Sequence, residues 1–226
     1  MPTIAILIPC YNEELTVCRV INDFNYYLPH ANIYVYDNNS TDRTYQYAAE
    51  NPNCEVGKCY IQGKGATVRK MLQEIDADYY IMVDGDCTYP AEYVNDLLIP
   101  VMDNECHMTV GDRLQYSYKR QKLSHTAGNQ FVNRFINWKF KSQIKDAMSG
   151  YRVFTKEIAK QFAKDSQYDG FEIEVELTMW CLNHRYKIKD IPCKYLKRPK
   201  GSKSKLSTVK DGIRILKTIA QTKYIK

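Results

Sequence analysis

No uninterrupted apolar run in these 226 residues approaches the roughly 18 that crossing a bilayer requires, so the sequence is not expected to span a membrane. Its eight cysteines (Cys10, Cys18, Cys54, Cys59, Cys87, Cys106, Cys181 and Cys193) are scattered, without a Cys-x-x-Cys pair or the spacing of a zinc site. Several fall in apolar runs and no secretory leader opens the sequence, so reduced thiols and a cytosolic setting are expected. His30, His107, His125 and His184 show no ligand spacing and are assigned no chemistry. An EF-hand is excluded: Asp84, Asp86 and Thr88 suit its first ligand positions, but Tyr89 replaces its Gly and Asn95 its bidentate Glu. Gly63-Lys64-Gly65 is neither a P-loop nor a dinucleotide fingerprint, and is read as a tight turn into a helix or a loop whose backbone approaches a nucleotide. With no internal repeat and no low-complexity linker, a single domain over residues 1–226 is expected.

The residues present, 44% hydrophobic and 12% aromatic, suffice for one well-buried α/β core. Net charge is +6, unevenly placed. Residues 113–145 carry eight Lys/Arg and no acid, and residues 194–226 carry eleven against the single Asp211, which leaves the body net acidic. A basic face of this kind meets nucleic acid, anionic lipid or a phosphorylated substrate, or is simply solvated.

Apolar, β-rich runs at 3–8, 33–36, 56–61, 79–83 and 107–110 alternate with helical stretches at 13–27, 42–50, 66–75 and 91–102. That rhythm predicts an α/β fold with a mostly parallel central sheet flanked by helices, and ligands collect at the carboxyl ends of such strands. The second half departs from it. A helix over 121–145 mixes Phe131, Phe135 and Trp138 with Arg134, Lys139 and Lys141, a composition suited to a membrane interface or to core packing. A strand near 151–154, a helix over 171–183, a strand near 186–193 and a basic loop from Lys197 to Leu206 follow. A last amphipathic helix starts at Thr208, its expected apolar face being Val209, Ile213, Leu216 and Ala220.

The most informative run is Tyr80-Ile81-Met82-Val83-Asp84-Gly85-Asp86, where an apolar strand delivers two carboxylates into a loop. Hard oxygen ligands so placed suit Mg2+ or Mn2+ bridging a diphosphate, although an acidic turn would read the same in isolation.

Taken with Pro9-Cys10-Tyr11-Asn12-Glu13, Asp37-Asn38-Asn39-Ser40-Thr41-Asp42 and Gly63-Lys64-Gly65, this loop resembles the ordered motifs of family 2 glycosyltransferases of the GT-A fold. Gly111-Asp112-Arg113, the run Asp146 to Arg152, Phe171-Glu172-Ile173-Glu174 and the Arg198 to Leu206 loop narrow the resemblance to polyprenyl-phosphate glycosyltransferases, of the dolichyl-phosphate mannose synthase and undecaprenyl-phosphate sugar transferase types. The resemblance implies that residues 1–112 form a nucleotide-sugar-binding half and residues 113–226 an acceptor-binding, membrane-facing half. Pro9, Tyr11, Glu13, Asp37, Lys64, Asp84, Arg198 and Lys205 would then bind the donor, with Asp84 and Asp86 as metal ligands. Arg113, Arg120 and Ser124 would hold the acceptor phosphate, and Asp86, Asp146 and Arg113 would carry the catalytic chemistry. Thr88 stands where the mannose synthases commonly have a further ligand, Gln, so the metal shell is left open.

The activity implied is metal-dependent, inverting transfer of a hexose, from a UDP-sugar by preference, to undecaprenyl or dolichyl phosphate at the cytoplasmic face of a membrane. The basic blocks then need no nucleic acid. Such relatives often continue into transmembrane helices, which leaves three alternatives open: a natural soluble form, a membrane-protein partner, or a transmembrane segment beyond Lys226. Two other readings remain: transfer to a saccharide or protein hydroxyl, with a carboxylate base near Asp146, and a non-catalytic nucleotide-binding scaffold that docks on membranes.

Overall fold

The computed structural model describes residues 1–117, 123–205 and 208–224. The first half is a run of βα units: β1 (Ile4–Cys10), α1 (Val17–Tyr27), β2 (Asn32–Asp37), α2 (Thr44–Ala49), β3 (Glu55–Lys58), α3 (Lys64–Glu74), β4 (Tyr79–Met82), α4 (Val94–Met102) and β5 (Met108–Asp112). The second half adds α5 (Leu114–Ser117), α6 (Leu123–Phe140), β6 (Arg152–Thr155), α7 (Lys156–Asp165), α8 (Ile173–Asn183), β7 (Ile188–Pro192) and α9 (Thr208–Gln221). The seven strands form one sheet in the order β3-β2-β1-β4-β6-β5-β7. It is mostly parallel, as expected; only β6 runs against its neighbours, β4 and β5. The chain entering β6 therefore lies at the edge where β4 and β5 end.

The strand period of two sorts the core onto the two faces of the sheet. Ile4, Ile6 and Ile8 pack with α1 (Val20, Ile21, Phe24) and α4 (Val94, Leu97, Val101), whereas Ala5 and Leu7 pack with α3 (Val68, Met71), α7 (Ile158, Phe162) and α8 (Ile173, Leu177). A further cluster joins the other side of α8 (Val175, Met179) to α6 (Val132, Ile136, Phe140) and α9 (Ile215, Ile219). Helix α8 is thus buried on two sides, which accounts for apolar residues all round it, with Glu174, Glu176 and Thr178 buried between them.

Three elements differ from the expectations above. Helix α7 fills a stretch given no structure from the sequence, burying Ile158, Ala159, Phe162 and Ala163 as one stripe. In α9 the buried face is Asp211, Ile215, Thr218 and Ile219; of the expected residues Leu216 packs against the third cluster, Ile213 is 51% exposed, Ala220 is exposed, and the Val209 side chain lies outside the described residues. Helix α6 divides its apolar residues. Val132, Ile136 and Phe140 enter the core, but Phe131 (58% exposed) and Trp138 (77%) face outward on either side of Phe135.

Candidate active site

The loops after β1, β2 and β4 are interlocked at the carboxyl edge of the sheet. Asn12 and Asn39 adopt left-handed φ values of 54° and 59°, which Asn tolerates better than most residues. Asn12 N–H donates to Ser40 Oγ at 2.9 Å, Thr41 N–H to Asn12 Oδ1 at 2.8 Å, and Glu13 N–H to Thr44 Oγ1 at 2.7 Å. Thr16 Oγ1 donates to the Gly85 carbonyl at 2.7 Å, tying the first loop to the paired aspartates.

These loops floor a cleft of about 1540 Å³. Pro9, Tyr11, Glu13, Lys64, Asp84, Asp86, Arg113, Arg198 and Lys205, all expected from the sequence, line it together. Asp37 lies just behind, 5% exposed: its Oδ2 accepts Ser40 N–H at 3.2 Å, and its Oδ1 is buried without a partner. Arg120 lies outside the described residues, as does the side chain of Ser124, whose backbone belongs to the first turn of α6.

The paired carboxylates have different surroundings. Asp84 is salt-bridged to Lys64, which also bridges Glu174. Burial works against the charge of Lys64, yet Asp84 and Glu174 hold its pKa above the ordinary lysine value. A Cβ on Gly150 would stand 2.7 Å from Asp84 Oδ2, so Gly150 lets the loop before β6 close on this aspartate. Asp86 is 2% exposed, and burial followed by the charge of Asp84 raises its pKa. Its Oδ1 accepts the Thr88 hydroxyl at 2.5 Å and its Oδ2 meets Arg198 Nη2 at 2.5 Å. Two close carboxylates that each recruit a cation suit a divalent ion. Among the described residues no group of three or more His, Cys, Asp or Glu could hold a metal. Thr88 is committed to Asp86, so diphosphate oxygens and water would complete the shell.

Residues 197–205 form a strap pinned to the floor. Arg198 Nη1 lies 3.2 Å and Lys205 Nζ 2.6 Å from Glu13 Oε1, and Lys205 also donates to the Asn12 carbonyl at 2.6 Å. Glu13, expected among the nucleotide contacts, is here the strap's anchor.

Arg113 and Asp146 form a two-pronged pair: Nε donates to Oδ2 at 2.7 Å, Nη2 to Oδ1 at 2.8 Å, and the Arg113 N–H adds a third bond at 3.1 Å. Burial opposes the charge of Arg113, but Asp146 lifts its pKa well above the usual guanidinium value. Asp146, expected to be catalytic, is fully buried and does not line the cleft; its carboxylate holds the Arg113 side chain. Arg152, also fully buried, donates to the carbonyls of Ala147 at 2.6 Å and Ser149 at 2.8 Å, fixing the loop that carries Asp146.

The Gly63-Lys64-Gly65 turn has a structural cause. The N–H groups of Gly65 and Ala66 donate to the carbonyls of Gly170 at 3.1 Å and Asp169 at 3.2 Å, so the start of α3 is closed by protein backbone. Of this turn Gly63 and Lys64 line the cleft, and Lys64 brings its charge to Asp84 and Glu174. Glu172 and Glu174 both line the cleft, since α8 begins at Ile173 and leaves Glu172 at its cap. Glu172 Oε2 is buried without a partner. Sequence reasoning also missed Lys210 and Arg214 of α9 at the cleft wall, for which the basic block after residue 194 was the available signal.

A cleft of this composition, on the carboxyl edge of a sheet with this strand order, is that of a GT-A glycosyltransferase. Residues 5–163 match the family model described as Glycosyl transferase family 2, and the chain belongs to that family. Its relatives include glycosyltransferase AglJ of Haloferax volcanii, 35% identical over 94% of this chain and 70% of that protein. The dolichyl-phosphate hexose transferase of the same organism is 24% identical over 96% of this chain and 92% of its own length. Among solved structures, glucosyl-3-phosphoglycerate synthase from Mycobacterium tuberculosis superposes with a TM-score of 0.75 at 17% identity, covering 96% of this chain and 79% of that one. That enzyme has also been solved with Mn2+, UDP and glucosyl-3-phosphoglycerate, at a TM-score of 0.70.

Proposed function

We propose that this glycosyltransferase moves a hexose from a nucleoside-diphosphate sugar, UDP-linked by preference, to a polyprenyl phosphate with inversion. The observation that carries the reading is Arg113: a guanidinium at the cleft wall, clamped along one edge by a fully buried carboxylate, is a fixed donor for a phosphate oxyanion. The relative named as a dolichyl-phosphate hexose transferase, aligned over nearly both chains, supports the same acceptor class.

Residues 1–112 supply the donor half. The unpartnered Asp37 Oδ1 suits a ring N–H of the nucleotide base, and Tyr11, 36% exposed at the cleft, offers it a face. Asp84 and Asp86 would hold Mg2+ or Mn2+, which when bound offsets charge on the leaving nucleoside diphosphate. Arg198 and Lys205 lie within the strap above them and supply cations to the same phosphates. Residues 113–226 supply the acceptor half, where Arg113, with Arg120 and Ser124 from the segment that follows it, would hold the lipid phosphate. A phosphate monoester has a second pKa near roughly 6 and is mostly ionised at pH 7, so its oxygen attacks the anomeric carbon without a strong base. No helix among the described residues is long and apolar enough to cross a membrane. The outward aromatic and basic side chains of α6 would bring the protein to the cytoplasmic surface of an anionic bilayer, alone or with a membrane-protein partner.

A second reading, transfer to a hydroxyl, is favoured by Glu172: its unpartnered Oε2 is the carboxylate such an acceptor needs, and Asp146 is taken by Arg113. Incubation with radiolabelled UDP-glucose, UDP-N-acetylglucosamine or GDP-mannose, Mn2+ and undecaprenyl phosphate separates the two. Lipid-extractable label supports the first reading and water-soluble product the second; no product from any donor would leave the scaffold reading.

A further inference from the structure

We propose that Tyr195 is a positioning residue that fixes the tilt of the Arg113 guanidinium toward the acceptor phosphate; this rests on the acceptor role given to Arg113 above. The Asp146 fork engages Nε and Nη2 and so fixes one edge of a planar group. A two-point fork still permits tilt about that edge. The missing constraint comes from rings: Arg113 lies over Tyr195 at 5.2 Å from the ring centroid and over Tyr89 at 6.0 Å, and the two tyrosines pack edge to face at 5.2 Å.

The two rings are not equivalent. Tyr89 is 4% exposed, its hydroxyl accepts the Gly150 N–H at 2.8 Å, and its ring packs on Tyr151; it belongs to the core. Tyr195 is the closer ring and lines the cleft beside Arg113. Its backbone is pinned on both sides, by Cys193 N–H to the Asp112 carbonyl at 3.0 Å and by Leu196 N–H to the Thr88 carbonyl at 2.9 Å. A change at residue 195 therefore alters the ring without releasing the segment. The two pins tie Tyr195 to the residue before Arg113 and to the loop of Asp86, so one side chain is set against both halves of the site.

The test uses the full chain, farnesyl phosphate as the acceptor-side probe and Mn2+ with UDP as the donor-side probe, both titrated calorimetrically. Tyr195→Leu is expected to weaken farnesyl phosphate binding roughly tenfold, within the range of a partly desolvated cation–ring contact, and to leave Mn2+–UDP binding within about twofold. Tyr195→Phe, which keeps the ring, is expected to restore acceptor binding to within about twofold of the parent. Arg113→Lys separates the two ideas. If neither Arg113→Lys nor Tyr195→Leu affects farnesyl phosphate, the acceptor reading of Arg113 fails and the inference with it. If Arg113→Lys weakens binding and Tyr195→Leu does not, the inference alone is overturned. Equal losses of both probes in Tyr195→Leu, or failure of Phe to restore binding, would also overturn it.

Discussion

Arg198→Ala is expected to destabilise the metal-free protein while tightening its hold on Mn2+. The Arg198 side chain is 24% exposed and bridges Asp86, 2% exposed, and Glu13, 8% exposed. Removing one partner of a buried ion pair costs roughly 3–5 kcal/mol, because the other charge is left uncompensated. Two features reduce that figure. Glu13 keeps Lys205, and the guanidinium is partly solvated, so about 2 kcal/mol remains. For a domain of this length that is a fall in Tm of about 4–8 °C. The sign reverses for the metal. In the parent, a cation arriving at Asp86 must displace Arg198; in the variant it meets an uncompensated carboxylate, so Mn2+ without nucleotide should bind roughly tenfold more tightly. Thermal unfolding in EDTA and in Mn2+, with calorimetric titration of the ion, reads both effects. An unchanged melting point in EDTA, or weaker Mn2+ binding without nucleotide, would refute the idea that strap and metal share Asp86.

Three further outcomes are expected. Burial, with Asp112 and Asp146 nearby, pushes the Asp190 carboxyl from 3.8 up to about 6. The folded state then binds this proton more tightly than the unfolded one, so the contribution is complete below pH 3.8 and is lost as pH rises through 6. Asp190→Asn should therefore remove on the order of 1–2 kcal/mol of pH dependence between pH 4 and 7, and a melting-point profile parallel to the parent's would contradict this. Gly63→Ala should cost on the order of 2–3 kcal/mol in denaturant unfolding, since φ is 138° and the new Cβ would collide with the Asp169 carbonyl; a neutral result would mean that segment 168–170 yields freely. Phe131→Ser combined with Trp138→Ser should leave the melting point within about 1 °C, because both side chains face outward, and should abolish sedimentation with phosphatidylglycerol vesicles; retained sedimentation would remove α6 from the membrane reading.

What the sequence showed, and what it hid, follows from the range of the interactions involved. Strands β1 to β5 and their helices were legible because alternation and helical spacing are local, and the converging loops followed from the parallel topology. The site's membership was legible for the same reason: nine expected residues line one cleft. Roles that depend on distant partners were hidden. Nothing near Glu13 announces that it will anchor Arg198 and Lys205, some 190 positions away, and nothing in Gly63-Lys64-Gly65 reveals the backbone of residues 168–170 lying across it. Nothing in the sequence around Asp146 shows that its carboxylate will be buried and forked to Arg113. The face of α9 was only partly legible: Leu216 packs as expected, but counting apolar residues picks the most hydrophobic stripe, whereas contact with α6 and α8 selected Ile215 and Ile219 along with Asp211 and Thr218.

The single reversed strand has a practical consequence. Because β5 and β6 are antiparallel neighbours, everything between Asp112 and Arg152 is topologically an overgrown hairpin loop, with Arg113, α5 and α6 inside it. Its two ends emerge about one strand spacing, roughly 5 Å, apart on a rigid frame. That makes the segment carrying Arg113 an interchangeable cassette: exchanging it with the matching segment of a relative would leave every strand of the sheet uncut, and, on the acceptor role proposed for Arg113, is expected to change acceptor choice while the donor loops stay in place.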